Sequence, residues 1–395
     1  MRRNNQTERL PRQPIKWKYY VNYMAIATIV IVFTILTLTG NMKATYPGLL
    51  ENIGIAIILA SSLGMVVSFL GELSLGHAGF MCIGAFVGGK VASLLDTTDG
   101  STHNIGVLLI AIIAGGAAAA LFGILIGIPA LRLRGDYLAI VTLAFGEIVR
   151  SLAMNLPDTL FGGTLGLKTP VFDKKYFFII IFAFVLITLA VIQNLLRSKH
   201  GRAISSIRDN EIAARAMGIN VTKYKLLVFT VSAFFAGIAG VLFSYTKSRV
   251  VSTTFDYNYS IEILVMVVLG GIGSINGPIV AATLITFLNT KLQTLLVGDL
   301  AVLQNLFYAV ILILIVIYKN APSLKYFREK VNFNKLLKKI FRKKTPEEKM
   351  EELARKREKE RLDAERKEIA LEAKVAENAA KSAKKASKNG KKEDR

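Results

Sequence analysis

Long stretches of this chain carry no charged side chain at all, among them the run between Lys18 and Lys43 and the run between Asp99 and Arg132. Each is long enough to cross the roughly 30 Å hydrocarbon core of a bilayer as a helix of about 20 residues. Inside lipid every backbone N–H and C=O must find its partner within the protein, so only helices and closed barrels can span. A barrel would show ten-residue strands of alternating polarity, and none are present. Apolar segments recur instead at 21–39, 52–70, 78–95, 105–128, 137–154, 176–196, 226–245, 261–273, 277–295 and 301–318. This pattern predicts an all-α polytopic membrane protein with about ten transmembrane or re-entrant helices.

The net charge of +22 is concentrated at the two ends. Residues 1–20 hold six Lys or Arg against one Glu, and residues 321–395 hold 25 against 14 acids. Because these basic parts flank membrane spans, the positive-inside rule and attraction to anionic lipid account for them, and nucleic acid is not an expected partner. The expected organisation is a basic cytoplasmic arm (1–20), a transmembrane domain (21–318) and a basic helical cytoplasmic tail (319–395). The N-terminal apolar run exceeds the core of a signal peptide and lacks a small-residue cleavage site, so it reads as a first membrane helix. The loop at Pro129–Asp136 and the segment Arg197–Lys225, with seven Lys or Arg, fall inside. Segments 96–104 and 246–260 then fall outside.

Parity requires a break within 261–295, since one uninterrupted helix there would carry the basic tail outside. The stretch Gly270-Gly271-Ile272-Gly273-Ser274-Ile275-Asn276-Gly277-Pro278 supplies it, because Gly is entropically costly in a helix and Pro lacks an N–H. The half before it is short enough to be re-entrant. With this break both termini are cytoplasmic, and the protein is a multi-pass component of a cell membrane. In the tail, Phe333, Leu336, Leu337, Ile340 and Phe341 share one helical face among lysines, which suits an anionic lipid surface. Thr345-Pro346-Glu347-Glu348 then starts a charged helix.

Chemistry is sparse. Gly84–Val91 approaches a phosphate-binding loop but puts Val91 where a hydroxyl must hold Mg²⁺, so it reads as glycine-mediated helix packing. The single cysteine, Cys82, lies in an apolar stretch and reads as a core residue. His77, His103 and His200 are too dispersed for a shared metal site. No catalytic set and no cofactor are expected. Polar residues near membrane depth stand out instead. Glu72, Ser74 and His77 sit among glycines in 71–80, read either as an interfacial loop or as a broken segment lining a pathway. Glu147 and Arg150, at i and i+3, read as an ion pair or as pathway residues.

The loop 201–218 reads Gly-Arg-Ala-Ile-Ser-Ser-Ile-Arg-Asp-Asn-Glu-Ile-Ala-Ala-Arg-Ala-Met-Gly. Asp209 or Asn210 can cap a short helix that Gly218 ends. A compact charged helix between two spans reads either as an ordinary amphipathic loop or as a docking element for a cytoplasmic partner.

At this loop the chain resembles permease subunits of ATP-driven importers, whose Glu-Ala-Ala…Gly coupling motif matches Glu211, Ala213, Ala214 and Gly218 with Ile212 interposed. Ser74–Phe80, Leu131–Tyr137, Ile207–Ala214 and Leu269–Ser274, in that order, resemble the branched-chain amino acid permease family, in its LivM-type branch, over about 50–320. The resemblance implies transport of Leu, Ile or Val delivered by an extracytoplasmic binding protein, with no catalysis by this chain. It implies as partners a LivH-type second permease and two cytoplasmic ATPase subunits. Coupling would fall to Arg208, Asp209, Glu211, Ala213, Ala214 and Gly218. Glu72, Ser74, His77, Glu147, Gly270, Gly271 and Gly273 would shape the translocation pathway. Other readings remain open: a permease for urea, amides, sugars or nucleosides; an ion-coupled secondary transporter; or a scaffold organised by the tail.

Overall fold

A computed structural model of the chain describes residues 20–39, 45–95, 105–133, 135–172 and 176–295, together with 306, 309, 310, 313 and 317. The N-terminal arm, His103, most of 301–318 and the whole tail lie outside the described residues. The described helices belong to one compact unit, Met1–Lys319.

The long helices are α1 (Tyr20–Leu38), α2 (Thr45–Gly64), α3 (His77–Leu95), α4 (Ile105–Ala130) and α5 (Asp136–Asn155). A short α6 (Asp158–Phe161) follows, then α7 (Phe177–Arg197) and the loop helices α8 (Lys199–Asp209) and α9 (Glu211–Ala216). The chain continues with α10 (Val221–Thr246), α11 (Tyr257–Gly270) and α12 (Asn276–Leu295). Among the described residues six helices are long and apolar enough to cross a membrane. Their outward faces carry Ile110, Ile113, Leu121 and Leu125 of α4 and Ile140, Ile148 and Leu152 of α5. Apolar surface of that extent suits lipid or a membrane partner rather than water.

Close approach of α3, α4 and α10 makes the core of the bundle. A Cβ on Gly115 would stand 2.8 Å from the Gly84 carbonyl oxygen, and one on Gly123 would stand 2.7 Å from Ala233 Cβ. Small residues let backbones meet where lipid gives no hydrophobic drive for association. Gly84–Val91 is thus a stretch of α3 that packs on its neighbours.

Two elements are broken at depth. After α2 the helix continues as a π-turn (Met65–Leu70), stops at Gly71 with φ 82°, and runs non-helically through 71–76. α3 then begins at His77, whose Nε2 lies 2.9 Å from Ser62 Oγ. Ser232, near the middle of α10, donates to the Ser62 carbonyl at 2.7 Å. α3 therefore starts halfway along its neighbours. α11 starts at the same level, because Ser260 Oγ accepts the Ala78 N–H at 3.1 Å. It is reached through 247–256, a two-residue strand followed by a 3-10 turn (Ser252–Phe255), which descends from the opposite end of the bundle. At that end two short strands, β1 (Leu167–Lys168) and β2 (Arg249–Val250), pair antiparallel.

The expected break in 261–295 is present. α11 ends at Gly270, the chain turns through Gly271 (φ 98°) and Gly273 (φ 84°), and α12 returns antiparallel. Ser274 Oγ closes the turn on the Gly271 carbonyl at 3.0 Å. Asn289 reaches back to Glu262 at 3.3 Å. With 14 residues α11 is about 21 Å long, short of the hydrocarbon thickness.

Candidate functional site

Among the described residues a dense polar cluster lies where the loop helices meet the break after α2. It is built from three elements. Asn210 separates α8 from α9, and its Oδ1 accepts the Ala213 N–H at 3.0 Å, the capping role expected for either Asp209 or Asn210. Gly218, with φ 81°, ends the loop helix by adopting a conformation that L side chains rarely take. Asn220 then caps α10, its Oδ1 accepting the Lys223 N–H at 3.0 Å. α10 thus begins at Val221, so Lys223 and Lys225, read from sequence as loop residues, belong to the first turns of a membrane helix. The loop is narrower than 197–225 by one helical turn.

That shift places a buried charge. The Lys225 side chain is 4% exposed; its ammonium donates to Glu72, in the break, and to Glu211 Oε2, in α9, at 3.2 Å. Glu211 also accepts from Arg215 at 2.9 Å. A lysine this buried is tenable only with compensating charge. Arg208 adds a second tie: its guanidinium donates to the Ser68 carbonyl at 3.2 Å, an oxygen in the π-turn. Its side chain lies on Gly71, where a Cβ would come within 3.0 Å of Arg208 Cγ. Asp209 accepts from the same guanidinium at 3.1 Å. Gly273, in the second break, stands beside Arg208. The base of the loop 201–218, the break after α2 and the turn between α11 and α12 are therefore one connected site.

The outward face of the loop is apolar. Ile212 is 74% and Met217 82% exposed, with Ala213 and Ala216 exposed between them, while Ala214 is buried beneath. The Ile212 that interrupts the expected Glu-Ala-Ala core extends this face.

The remaining predicted residues are placed separately. Ser74 is buried, and its hydroxyl finds no hydrogen-bond partner among the described residues. His77 is buried on Ser62. The segment bends around α5, with Leu75 N–H donating to Thr142 Oγ1 at 3.0 Å. Glu147 is not brought to this cluster: it accepts from Arg150 at 2.8 Å on the same helix, both half-buried. Sequence reasoning missed Lys225, whose character as a tail-end lysine of a basic loop hid its burial.

A sequence profile described as "Branched-chain amino acid transport system / permease component" matches residues 46–318. The high-affinity branched-chain amino acid transport system permease protein LivM of Salmonella typhimurium is 35% identical over 302 residues, 69% of this chain and 67% of the relative. Its namesake from Escherichia coli strain K12 is 39% identical over 262 residues, 58% of this chain and 60% of the relative. The ribose import permease protein RbsC of the same strain is 30% identical over 165 residues, 40% of this chain and 47% of the relative.

Proposed function

As a member of the branched-chain amino acid transport permease family, shown by the profile match over 46–318, the chain is a transport permease subunit, and we propose that it moves Leu, Ile or Val inward through a bacterial cell membrane. An extracytoplasmic binding protein delivers the amino acid. A LivH-type second permease completes the channel, and two cytoplasmic ATPase subunits supply and perform ATP hydrolysis. Both termini are cytoplasmic, with about ten transmembrane or re-entrant helices. The basic tail lies on anionic lipid.

The observation that carries the coupling role is the projecting α9 loop with its exposed Ile212 and Met217, fastened through Lys225 to a break in a membrane helix. An ATPase cleft gripping that face would move Glu211, and with it Glu72 and the start of α3. Arg208, paired with Asp209, holds the same loop to the π-turn. Ala213, Ala214 and Gly218 shape the gripped helix. Glu72, Ser74, His77 and the Gly270–Gly273 turn then form the moving part of the pathway. Alternation between two conformations, each favoured by one nucleotide state of the ATPases, is all the mechanism requires.

The test is co-purification and uptake. The intact chain retains an ATPase and a second permease and supports leucine uptake in proteoliposomes. Ile212→Asp with Met217→Asp releases the ATPase while the chain remains folded. Retention of the ATPase by that variant would sink the assignment. The ribose permease relative supports a sugar as the competing cargo, so ribose is assayed beside leucine.

A further inference from the structure

A cavity of about 380 Å³ opens between α2, α10, α11 and α12, on the side of the bundle opposite the loop cluster. Its size is within the roughly 300–1,000 Å³ range of small-molecule sites. It runs from Thr254 and Gln293, both exposed, down to Tyr259 and Met266 of α11. Since Ser260 marks mid-depth, the floor lies near the middle of the bundle.

Its lining combines opposite charges with an apolar wall. Glu262 stands toward the floor, two residues beyond Ser260, with Asn289 donating to it at 3.3 Å. An acidic side chain at this depth is costly unless it faces a cavity or a partner. Lys247 and Arg249 stand toward the mouth. Arg249 is engaged by the Leu165 and Gly166 carbonyls at 3.1 and 3.4 Å. Lys247 lies over the Phe243 ring, its ammonium 5.7 Å from the centroid. Ile55, Ala56 and Met266 make the apolar wall.

We infer that this cavity is a binding site for a zwitterionic α-amino acid with an aliphatic side chain, its ammonium on Glu262, its carboxylate on Lys247 and its side chain on Ile55, Ala56 and Met266. The inference rests on the importer reading and deepens it, giving the cargo a stopping place after release from the binding protein. A neutral sugar or nucleoside carries no charge to place on Glu262 or Lys247. A solute with only one charge engages one of the two and not the other.

The test uses the purified complex with its partner subunits, without binding protein. Cys82 is the chain's single cysteine and is buried, so Thr254→Cys offers this chain's one accessible thiol, at the cavity mouth. L-Leucine slows its reaction with a methanethiosulfonate. Neither 4-methyl-2-oxopentanoate, which lacks the ammonium, nor 3-methylbutylamine, which lacks the carboxylate, does so at the same concentration. Adding Glu262→Gln raises the leucine concentration for half-protection by about tenfold or more, the loss of one charge-assisted hydrogen bond. Arg132→Cys, exposed in the turn before α5, reacts at the same rate with or without leucine, which excludes a global change as the cause of protection. Equal protection by all three compounds, or no protection by leucine, overturns the site. Leucine uptake by the unsubstituted complex reads the importer function separately: uptake without protection rejects the cavity and keeps the importer, whereas protection without uptake keeps the cavity and rejects the cargo.

Discussion

Lys225→Met is the most informative single change, because the structure sets its size and its rescue. The lysine side chain is 4% exposed, Glu72 12% and Glu211 22%. Removing one member of a buried ion pair strands the other and costs about 3–5 kcal/mol. Glu211 keeps Arg215 at 2.9 Å and is the more exposed acid, so Glu72 alone is stranded. The lower end applies, about 3 kcal/mol, or two powers of ten in the folded-to-unfolded ratio. Cys82 provides the assay, since a buried sole cysteine reacts with a maleimide only when the bundle opens. Its labelling midpoint along a denaturing-detergent titration should shift strongly in Lys225→Met. The double variant Lys225→Met with Glu72→Gln removes both charges and should recover most of the loss, a coupling of about 2 kcal/mol in a double-mutant cycle. The same double variant should assemble with its partners yet move less substrate per ATP hydrolysed, since only the Arg208 tie to the Ser68 carbonyl still joins the loop to the break. Additive effects of the two substitutions would refute the reasoning, as would full coupled uptake by the double variant.

Three further outcomes are expected. Glu147→Gln with Arg150→Gln should change stability by less than about 1 kcal/mol, because the pair is half-exposed, and should keep uptake within about twofold if the pair is structural; loss of uptake with intact assembly would return Glu147 to the pathway. Gly79→Val should prevent assembly, since a Cβ there would stand 2.7 Å from the Gly146 backbone, and gel filtration in detergent reads this directly; overpacking of this kind costs about 1–3 kcal/mol or more. Ser62→Ala should cost about 1–3 kcal/mol by leaving buried His77 without its partner, and an unchanged Cys82 labelling midpoint would show that the contact contributes nothing.

Much of this architecture is legible in the chain because lipid imposes so few solutions. The charge-free runs mark α1 and α4, and Gly270–Pro278 marks the reversal between α11 and α12. Asn210 and Gly218 bracket α9 by the same capping and positive-φ preferences that operate in water. What stayed hidden depends on side chains meeting across the fold. Lys225 follows Lys223 in a basic loop, so apolar patterning starts α10 at residue 226, five residues late, and conceals the helix turn that buries the ammonium. Glu262 stands just after a segment read as extracytoplasmic, and only the return of α12 shows that it faces a cavity beside Asn289. The short pieces around β1 and β2 have no periodicity to detect, since two-residue strands carry no repeat.

The polar residues follow the breaks for a physical reason. An uninterrupted helix consumes its own N–H and C=O groups and has none to offer a buried side chain. Where α2 gives way to a π-turn, the Ser68 carbonyl becomes available to Arg208. At the start of α3 the Ala78 N–H becomes available to Ser260. Each break thus exchanges a backbone hydrogen bond for one to another element, and so ties that element to a point where the chain can hinge. Arg208 ties the loop to the first break. Ser260 ties the first break to α11, the helix that carries Glu262. On the proposed function, a displacement of the loop would pass along contacts already present, from Arg208 through the break and Ser260 to the floor of the cavity. Ser260→Ala is the point at which that chain of contacts can be cut without touching a charge. It should weaken the link between hydrolysis and uptake while leaving partner binding at the loop intact, and unchanged coupling in that variant would mean that the two halves move independently.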